Sequence, residues 1–367
     1  MTSTEALVAL NLLPKIGPVR TRRLMERFGS AEAVLAASKD ALLRVDGIGE
    51  ETALILSRWQ DHADPVQELA EVATRGLSLM FPDDPAFPPA LREAYDSPIL
   101  LYVWGKVEPV DRHAIGIVGT RRASIYGANA TKKLSYQLAS SGFTIVSGLA
   151  RGIDTSAHEA ALAAPGGRTI AVIGSGLAKL FPAENIGLAE KIAAGRGAVV
   201  SEFPLNTPPD RQTFPQRNRI VAAWSRALLV TECPPRSGSL ITANLAVEYG
   251  RPVYAVPGPI DKTTSAGCNQ LIRDGATLVT DAGEILDDIG GLPFASRTRV
   301  VQEEDPTLPD LPADEGTVFS ALGGNECGID QLIETTGLPA PVVTATLMKL
   351  EIRKLVRALP GFRYTRR

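Results

Sequence analysis

Between residues 113 and 290 short apolar runs alternate with amphipathic stretches, and this regularity constrains the fold more than any other feature of the 367-residue chain. The runs fall at 114–119, 143–147, 169–174, 198–202, 227–232, 252–257 and 277–280, with helical patterns between most of them. Short runs rich in β-branched residues and bounded by glycine, serine or proline read as buried strands. Strands that alternate with helices assemble into a parallel, doubly wound sheet. The expected fold class is therefore α/β, a Rossmann-like and mostly parallel sheet. Two more strand-like runs, 77–81 and 99–104, surround a proline-rich loop and are expected to extend one edge of it.

Residues 61–290 thus form the expected main domain, and the segments on either side read differently. Residues 1–60 are short helices with an internal near-repeat. Leu13-Pro-Lys-Ile-Gly-Pro-Val-Arg20 precedes one helical stretch, and Val45-Asp-Gly-Ile-Gly-Glu50 precedes the next. Each pairs a glycine turn with an apolar helix, as in a helix-hairpin-helix (SAM-like) domain, where turn amides approach a DNA phosphate. Gly47 and Gly49 fit that pattern, whereas Pro18 stands where the first copy needs its second glycine. Hairpins that merely pack are the competing reading. Residues 291–315 are an acidic, proline-rich linker. Residues 316–367 read as three helices and a β-ribbon, a winged-helix pattern used in DNA or protein contacts.

Charge is distributed unevenly. The chain carries a formal net charge of −3, yet residues 112–236 hold 15 Lys/Arg against 7 Asp/Glu. The acids gather in Glu303-Glu-Asp305 and from Asp310 to Glu315. A locally basic segment inside an acidic chain directs attention to an anionic partner of the main domain. Cys233, Cys268 and Cys327 are sparse and lack metal-ligand spacing, which fits reduced thiols. With no signal-peptide pattern and no apolar run of membrane length, a cytoplasmic protein without membrane contact is expected.

In an open parallel sheet, ligands bind outside the carboxyl ends of the strands. Here those ends read Gly119-Thr-Arg-Arg122, Ser147-Gly-Leu-Ala-Arg-Gly-Ile-Asp154 and Gly174-Ser-Gly-Leu177. Then come Arg211 with Phe214-Pro-Gln-Arg-Asn-Arg219, Arg236-Ser-Gly-Ser-Leu-Ile-Thr242, and Asp261-Lys262 followed by Ser265-Ala-Gly-Cys-Asn269. Serine and glycine turns at helix starts offer backbone N–H groups to anions, and a basic side chain accompanies most of them. Several such turns on one sheet edge suit a string of phosphates. A dinucleotide fingerprint is excluded, because Gly116 and Gly119 have the wrong spacing and Arg121-Arg122 replace the further glycines.

Other residues read as structural. Ser156-Ala-His-Glu159 fits a helix capping box, with Glu159 as cap. His158 has no second histidine nearby, so no metal site is expected. Glu202 and Glu232 are expected to partner nearby arginines, and Arg168, Lys179, Lys191 and Arg196 to be solvated surface charges. Phe214 and Tyr126 are the aromatics nearest the basic turns.

The motifs Ile117-Val-Gly-Thr-Arg-Arg-Ala-Ser124, Ser147 to His158, Phe214 to Ser225 and Ser237 to Gly258 closely resemble the DprA/Smf family of bacterial DNA-processing proteins, over about residues 75–285. The resemblance implies a non-enzymatic protein with no cofactor and no catalytic residues. It implies that single-stranded DNA binds a basic pocket of the sheet domain, a homodimer forms through that domain, and RecA recombinase is loaded onto incoming, protected DNA in natural transformation. The accessory regions would add contacts to duplex DNA. Carried over by motif, the DNA-binding positions are Gly119, Thr120 and Arg121 with Arg122 beside them, Gly148 and Arg151, Arg217, Asn218 and Arg219, Arg236, Ser237, Gly238 and Ser239, and Lys262.

The alternative class is a nucleoside-monophosphate phosphoribohydrolase on a related fold. Those enzymes use a Pro-Gly-Gly-x-Gly-Thr turn with acids in the following helix. Here the corresponding turn is Ser237-Gly-Ser-Leu-Ile-Thr242, with no acid before Glu248.

Overall fold

The apolar runs pair into a single nine-stranded sheet. Its strands are β1 (Ser78–Met80), β2 (Leu101–Gly105), β3 (Ala114–Val118), β4 (Thr144–Ser147), β5 (Thr169–Val172), β6 (Gly197–Ser201), β7 (Ala227–Val230), β8 (Val253–Ala255) and β9 (Thr277–Leu278). In this computed structural model the described residues are 1–290, 311–322, 327–353, 355–359, 361 and 363–366. Most of the expected linker, 291–310, lies outside them.

The strand order is β1-β2-β6-β5-β4-β3-β7-β8-β9. All neighbours from β6 to β9 run parallel, and β2 and β1 join antiparallel at one edge. The edge extension expected from 77–81 and 99–104 is therefore present. After β3 the chain builds outward through β4, β5 and β6, then returns to the other side of β3 as β7. That reversal opens a crevice beyond the carboxyl ends of β3 and β7. Helices cover both faces. Along the strands alternate residues serve two cores: Val118, Val146, Val172 and Leu228 join Trp224 in one, while Ile115, Ile117, Ile145 and Leu229 join Phe143 in the other. Burial on both faces explains why these strands read as continuous apolar runs rather than as alternating ones.

Two polar expectations are corrected by this packing. Arg168 is not a solvated charge. It grips the buried Asp111 with Nε and Nη2, both at 2.8 Å, and Asp111 also accepts from Thr144 Oγ1 at 2.7 Å. Ser156 is not a helix cap, because the helix Ile153–Ala163 begins three residues earlier, after Gly152. Glu159 faces Lys132 instead, at 3.8 Å. His158, inside the same helix, is fully buried with Nδ1 2.7 Å from Thr169 Oγ1.

The N-terminal helices have their own core around Leu10, Leu24, Leu42 and Leu56. Both expected hairpin helices are present, Pro18–Phe28 and Glu50–Ser57, each started by a glycine in extended conformation, Gly17 and Gly49. Pro18, which broke the sequence pattern, occupies the first helical turn, where a missing N–H costs nothing. The first helix, Ser3–Leu12, also reaches the sheet: Val8 enters the core beside Tyr102 and Val199, and Asn11 donates to the Glu202 carbonyl at 3.1 Å.

The chain divides into two compact units, and the second is the C-terminal one. Helices Ala313–Ala321, Ile329–Thr336 and Ala340–Ile352 pack around Val318, Leu332, Leu347 and Leu350. The ribbon β11 (Val356–Leu359) and β12 (Arg363–Arg366) is joined by a short strand β10 (Cys327–Gly328), which completes a winged helix.

Burial, with the Arg217 charge adding to it, holds the His158 imidazole down at about 3 from an ordinary 6.5. A depressed native value contributes stability above the unfolded value and loses it as pH falls. From about pH 6.5 towards 3 the unfolded chain takes up a proton that the native ring refuses, at roughly 1.4 kcal/mol per pH unit. Denaturation of wild type and His158→Gln across this range should show the wild type losing stability faster on acidification. Parallel curves would remove His158 from the account.

Candidate nucleic-acid interface

Three loops meet beyond the carboxyl ends of β3, β4 and β7, and backbone contacts lock them together. Thr120 N–H donates to the Glu232 carbonyl at 2.7 Å, and Ile153 N–H donates to the Thr120 carbonyl at 3.2 Å. Gly152 makes the crossing feasible. Its φ is +75°, and a Cβ there would lie 2.5 Å from the Thr120 oxygen. Only a residue without a side chain fits both the angle and the space.

The loop after β4 is shaped from within. Asp154 is buried and accepts from the amides of Gly148 at 3.1 Å and Ala150 at 3.3 Å, while Leu149 takes a left-handed φ of 56°. Beneath this turn lies Arg217, only 4% exposed, from the helix Thr213–Trp224. Its Nη1 donates to the Gly148 carbonyl at 2.6 Å and also to the Val172 carbonyl. Burial lowers the guanidinium to about 10, with Asp154 pulling the other way and the charge of Arg121 lowering it further. Burial likewise raises Asp154, against the pull of Arg217. A buried guanidinium and a buried carboxyl group thus lie together under the floor of the crevice.

Above that floor is a pocket of about 430 Å³. Its wall gathers nine of the expected residues: Gly119, Arg121, Gly148, Arg217, Asn218, Arg236, Ser237, Gly238 and Ser239. The helix Gly238–Glu248 points its amino end into the pocket, with Ser237 as N-cap receiving the Ser239 amide at 3.3 Å. Asn218 ties the two walls together by donating to the Gly238 carbonyl at 3.3 Å. Arg121, Arg211 and Arg236 are exposed at this pocket, and none forms an ion pair among the described residues. Open guanidinium groups around the positive end of a helix make an anion site, and their planar forks suit phosphate oxygens.

The other expected residues lie elsewhere. Thr120 is buried and braces its turn by accepting from the Arg122 amide at 3.2 Å. Arg122 and Lys262 do not line the pocket, and Lys262 sits 3.9 Å from Asp261. Arg219 is buried, paired with Glu202 and 3.8 Å from Asp96, so the expected glutamate–arginine partnership exists but takes Arg219 away from the pocket. Arg151 lines a smaller adjoining recess and pairs with Glu184. Glu184 is held below the usual carboxylate range by a backbone hydrogen bond and then by Arg151. Tyr126 lines neither space, whereas Phe214 lines both and carries the Arg121 guanidinium 4.9 Å from its ring centre. Arg211 was absent from the motif-derived set. Its signal in the sequence was position alone, a basic residue in the loop after β6.

A family model described as DNA recombination-mediator protein A matches residues 78–290. A Synechocystis protein named Smf is 36% identical, with 96% of each chain covered. The chain belongs to the DprA/Smf family. Further models match its flanks: a SAM-like helix-hairpin-helix tandem over 8–56 and a DprA winged helix domain over 302–361. Among solved structures, DNA processing protein A from Streptococcus pneumoniae is 32% identical at a TM-score of 0.66, covering 78% of this chain and 98% of that one. The Helicobacter pylori DprA, whose structure was described for its single-stranded DNA binding mode, is 29% identical at a TM-score of 0.52 and covers 58% of this chain and 95% of its own.

The pocket's dependence on the Arg217 strut gives a test within this DprA/Smf chain. An added Cβ at Gly148 would lie 2.2 Å from Arg217 Nη1 and 2.5 Å from Cζ, whereas one at Gly238 meets nothing within 4 Å. Chemical denaturation should show Gly148→Ala destabilised by about 1–3 kcal/mol, the scale of overpacking, and Gly238→Ala nearly unchanged. Equal stability of the two variants would mean that the guanidinium is free to retreat.

Proposed function

We propose that this protein holds single-stranded DNA by its phosphates in the arginine pocket, performs no chemistry on the strand, and helps place RecA on DNA entering the cell during natural transformation. The observation that carries the reading is the convergence of Arg121, Arg211 and Arg236 on the amino end of one helix, above the buried charge of Arg217. Phosphate contacts of this kind position a strand without reading bases, so binding is sequence-tolerant. Family membership supports the same reading, and the relative from H. pylori is known for a single-stranded DNA binding mode. The RecA partnership and a homodimer through the sheet domain rest on the family resemblance. Duplex contact belongs, in this reading, to the helix-hairpin-helix and winged-helix regions.

Titration with oligo-dT over a salt series tests the reading. Each phosphate neutralised adds about −0.7 to the slope of log affinity against log salt for a single strand, so a steep fall is expected. Arg121→Ala should cost about 1–3 kcal/mol, the scale of a charge-assisted hydrogen bond, and Arg121→Lys should recover part of it. Arg196, exposed at the amino end of β6, is the control for bulk charge, and its alanine variant should bind nearly as wild type. Deleting residues 316–367 should leave single-strand binding in place. A flat salt response, equal losses for Arg121 and Arg196, or release of free base from nucleoside monophosphates would overturn the proposal.

A further inference from the structure

Arg211 reaches the pocket from the loop that joins β6 to the helix Thr213–Trp224. The far end of this loop is fixed locally. The Asp210 amide donates to Thr213 Oγ1 at 3.1 Å, and the Gln212 amide donates to Asp210 Oδ1 at 2.8 Å. Its near end is held by a distant part of the chain. Besides the contact of Asn11 with the Glu202 carbonyl, the Leu205 amide donates to Glu68 Oε1 at 2.8 Å. Asn206 Nδ2 donates to Glu71 Oε2 at 2.9 Å. Glu68 and Glu71 both belong to the helix Pro65–Thr74, and neither lines the pocket.

The Glu68 contact is the one buried at both ends. Leu205 is fully buried, packed with Val72 and Leu100, and Glu68 is buried beside it. A buried carboxylate is a costly way to fill space beneath a helix, since an apolar side chain would pack there without desolvating a charge. What the carboxylate supplies is an acceptor for an amide that has no access to water. The same stretch is jammed against the loop after β5. Leu205 offers its carbonyl to the Ala178 amide at 3.0 Å, and Thr207 offers its own to the Gly176 amide at 2.9 Å. A Cβ at Gly176 would lie 2.1 Å from the Leu205 oxygen. From Thr207 the chain then passes through Pro208 and Pro209, whose fixed φ angles leave few paths to Arg211. The place of the anchor is thereby carried forward to the guanidinium.

We propose that Glu68 is a positioning residue for Arg211, holding the loop after β6 where that guanidinium meets a phosphate. The proposal rests on the single-strand reading and adds to it a determinant of affinity that touches no DNA. It gives the helix Pro65–Thr74, which precedes the parallel part of the sheet, a part in ligand binding.

Oligo-dT titrations of single and double variants test this assignment. Arg211→Ala should weaken binding about ten-fold, the scale of one charge-assisted contact. Glu68→Ala should weaken it about five-fold, through the shared backbone, and make the salt slope shallower by up to about 0.7, the share of one phosphate. Glu68→Gln keeps an acceptor oxygen for the Leu205 amide and should bind as wild type. In an Arg211→Ala background Glu68→Ala should cost nothing more, whereas in an Arg236→Ala background it should cost its full factor. Pro209→Gly, at an exposed position, loosens the same path without touching the core and should show the same dependence on Arg211. It covers the case of an alanine variant that does not fold. A loss of equal size in both backgrounds would mean general loosening of the fold and overturns the proposal. Wild-type affinity of Arg211→Ala, or of both Glu68→Ala and Pro209→Gly, overturns it too, while leaving the single-strand reading to stand on Arg121. Failure of the wild type to bind oligo-dT would instead overturn that reading, and the proposal with it.

Discussion

The whole ligand edge is organised around one guanidinium that never reaches the surface. Arg217 rises from the helix Thr213–Trp224 and ends beneath the turn at Gly148, where it holds carbonyl oxygens from β5 and from the loop after β4. Asp154 holds the same turn from its amide side. Carbonyl and amide groups of one loop are thereby satisfied by two buried charges of opposite sign, so neither is left unpaired at the desolvation cost a lone charge would incur. Fixing this loop fixes its neighbours, since Ile153 bonds to Thr120 and Thr120 to Glu232. Three successive strand ends become one rigid rim.

That rim sorts the basic residues into two populations. Arg168, Arg217 and Arg219 are committed to internal acceptors, and their charge serves the fold. Arg121, Arg211 and Arg236 stand in solvent around the pocket, and their charge is available to a ligand. A count of positive charge over residues 112–236 does not distinguish these roles. What distinguishes them is whether an acid or a carbonyl lies within reach, which depends on contacts between distant parts of the chain.

This explains what could and could not be read from sequence. The strands were legible because residues such as Ile115, Val146, Ile170 and Leu229 are buried on both sheet faces and so leave continuous apolar runs. The Gly119, Gly148 and Ser237 turns were legible because tight turns between a strand end and a helix start need small residues. The fate of Arg217 was not, since its acceptors are 69 and 45 positions away. Arg168 was misread for the same reason, its partner Asp111 being 57 positions distant. The capping-box reading of Ser156 failed differently: a glycine with positive φ starts the helix earlier, and local pattern alone does not reveal backbone handedness.

The helix Thr213–Trp224 carries Phe214, Arg217 and Arg219 within about one and a half turns. Phe214 faces the smaller recess, Arg217 the pocket floor, and Arg219 the Glu202 carboxylate, whose own backbone carbonyl anchors the N-terminal helix through Asn11. Six residues therefore serve three sets of contacts, two of which, the recess and the pocket, share Arg121, Gly148 and Phe214. Such a segment cannot change piecemeal. A shift of the helix that suits one contact displaces the other two, so substitutions here should be strongly non-additive in double-mutant cycles. For anyone redesigning the protein, the segment is a single heritable part, to be exchanged whole or left alone.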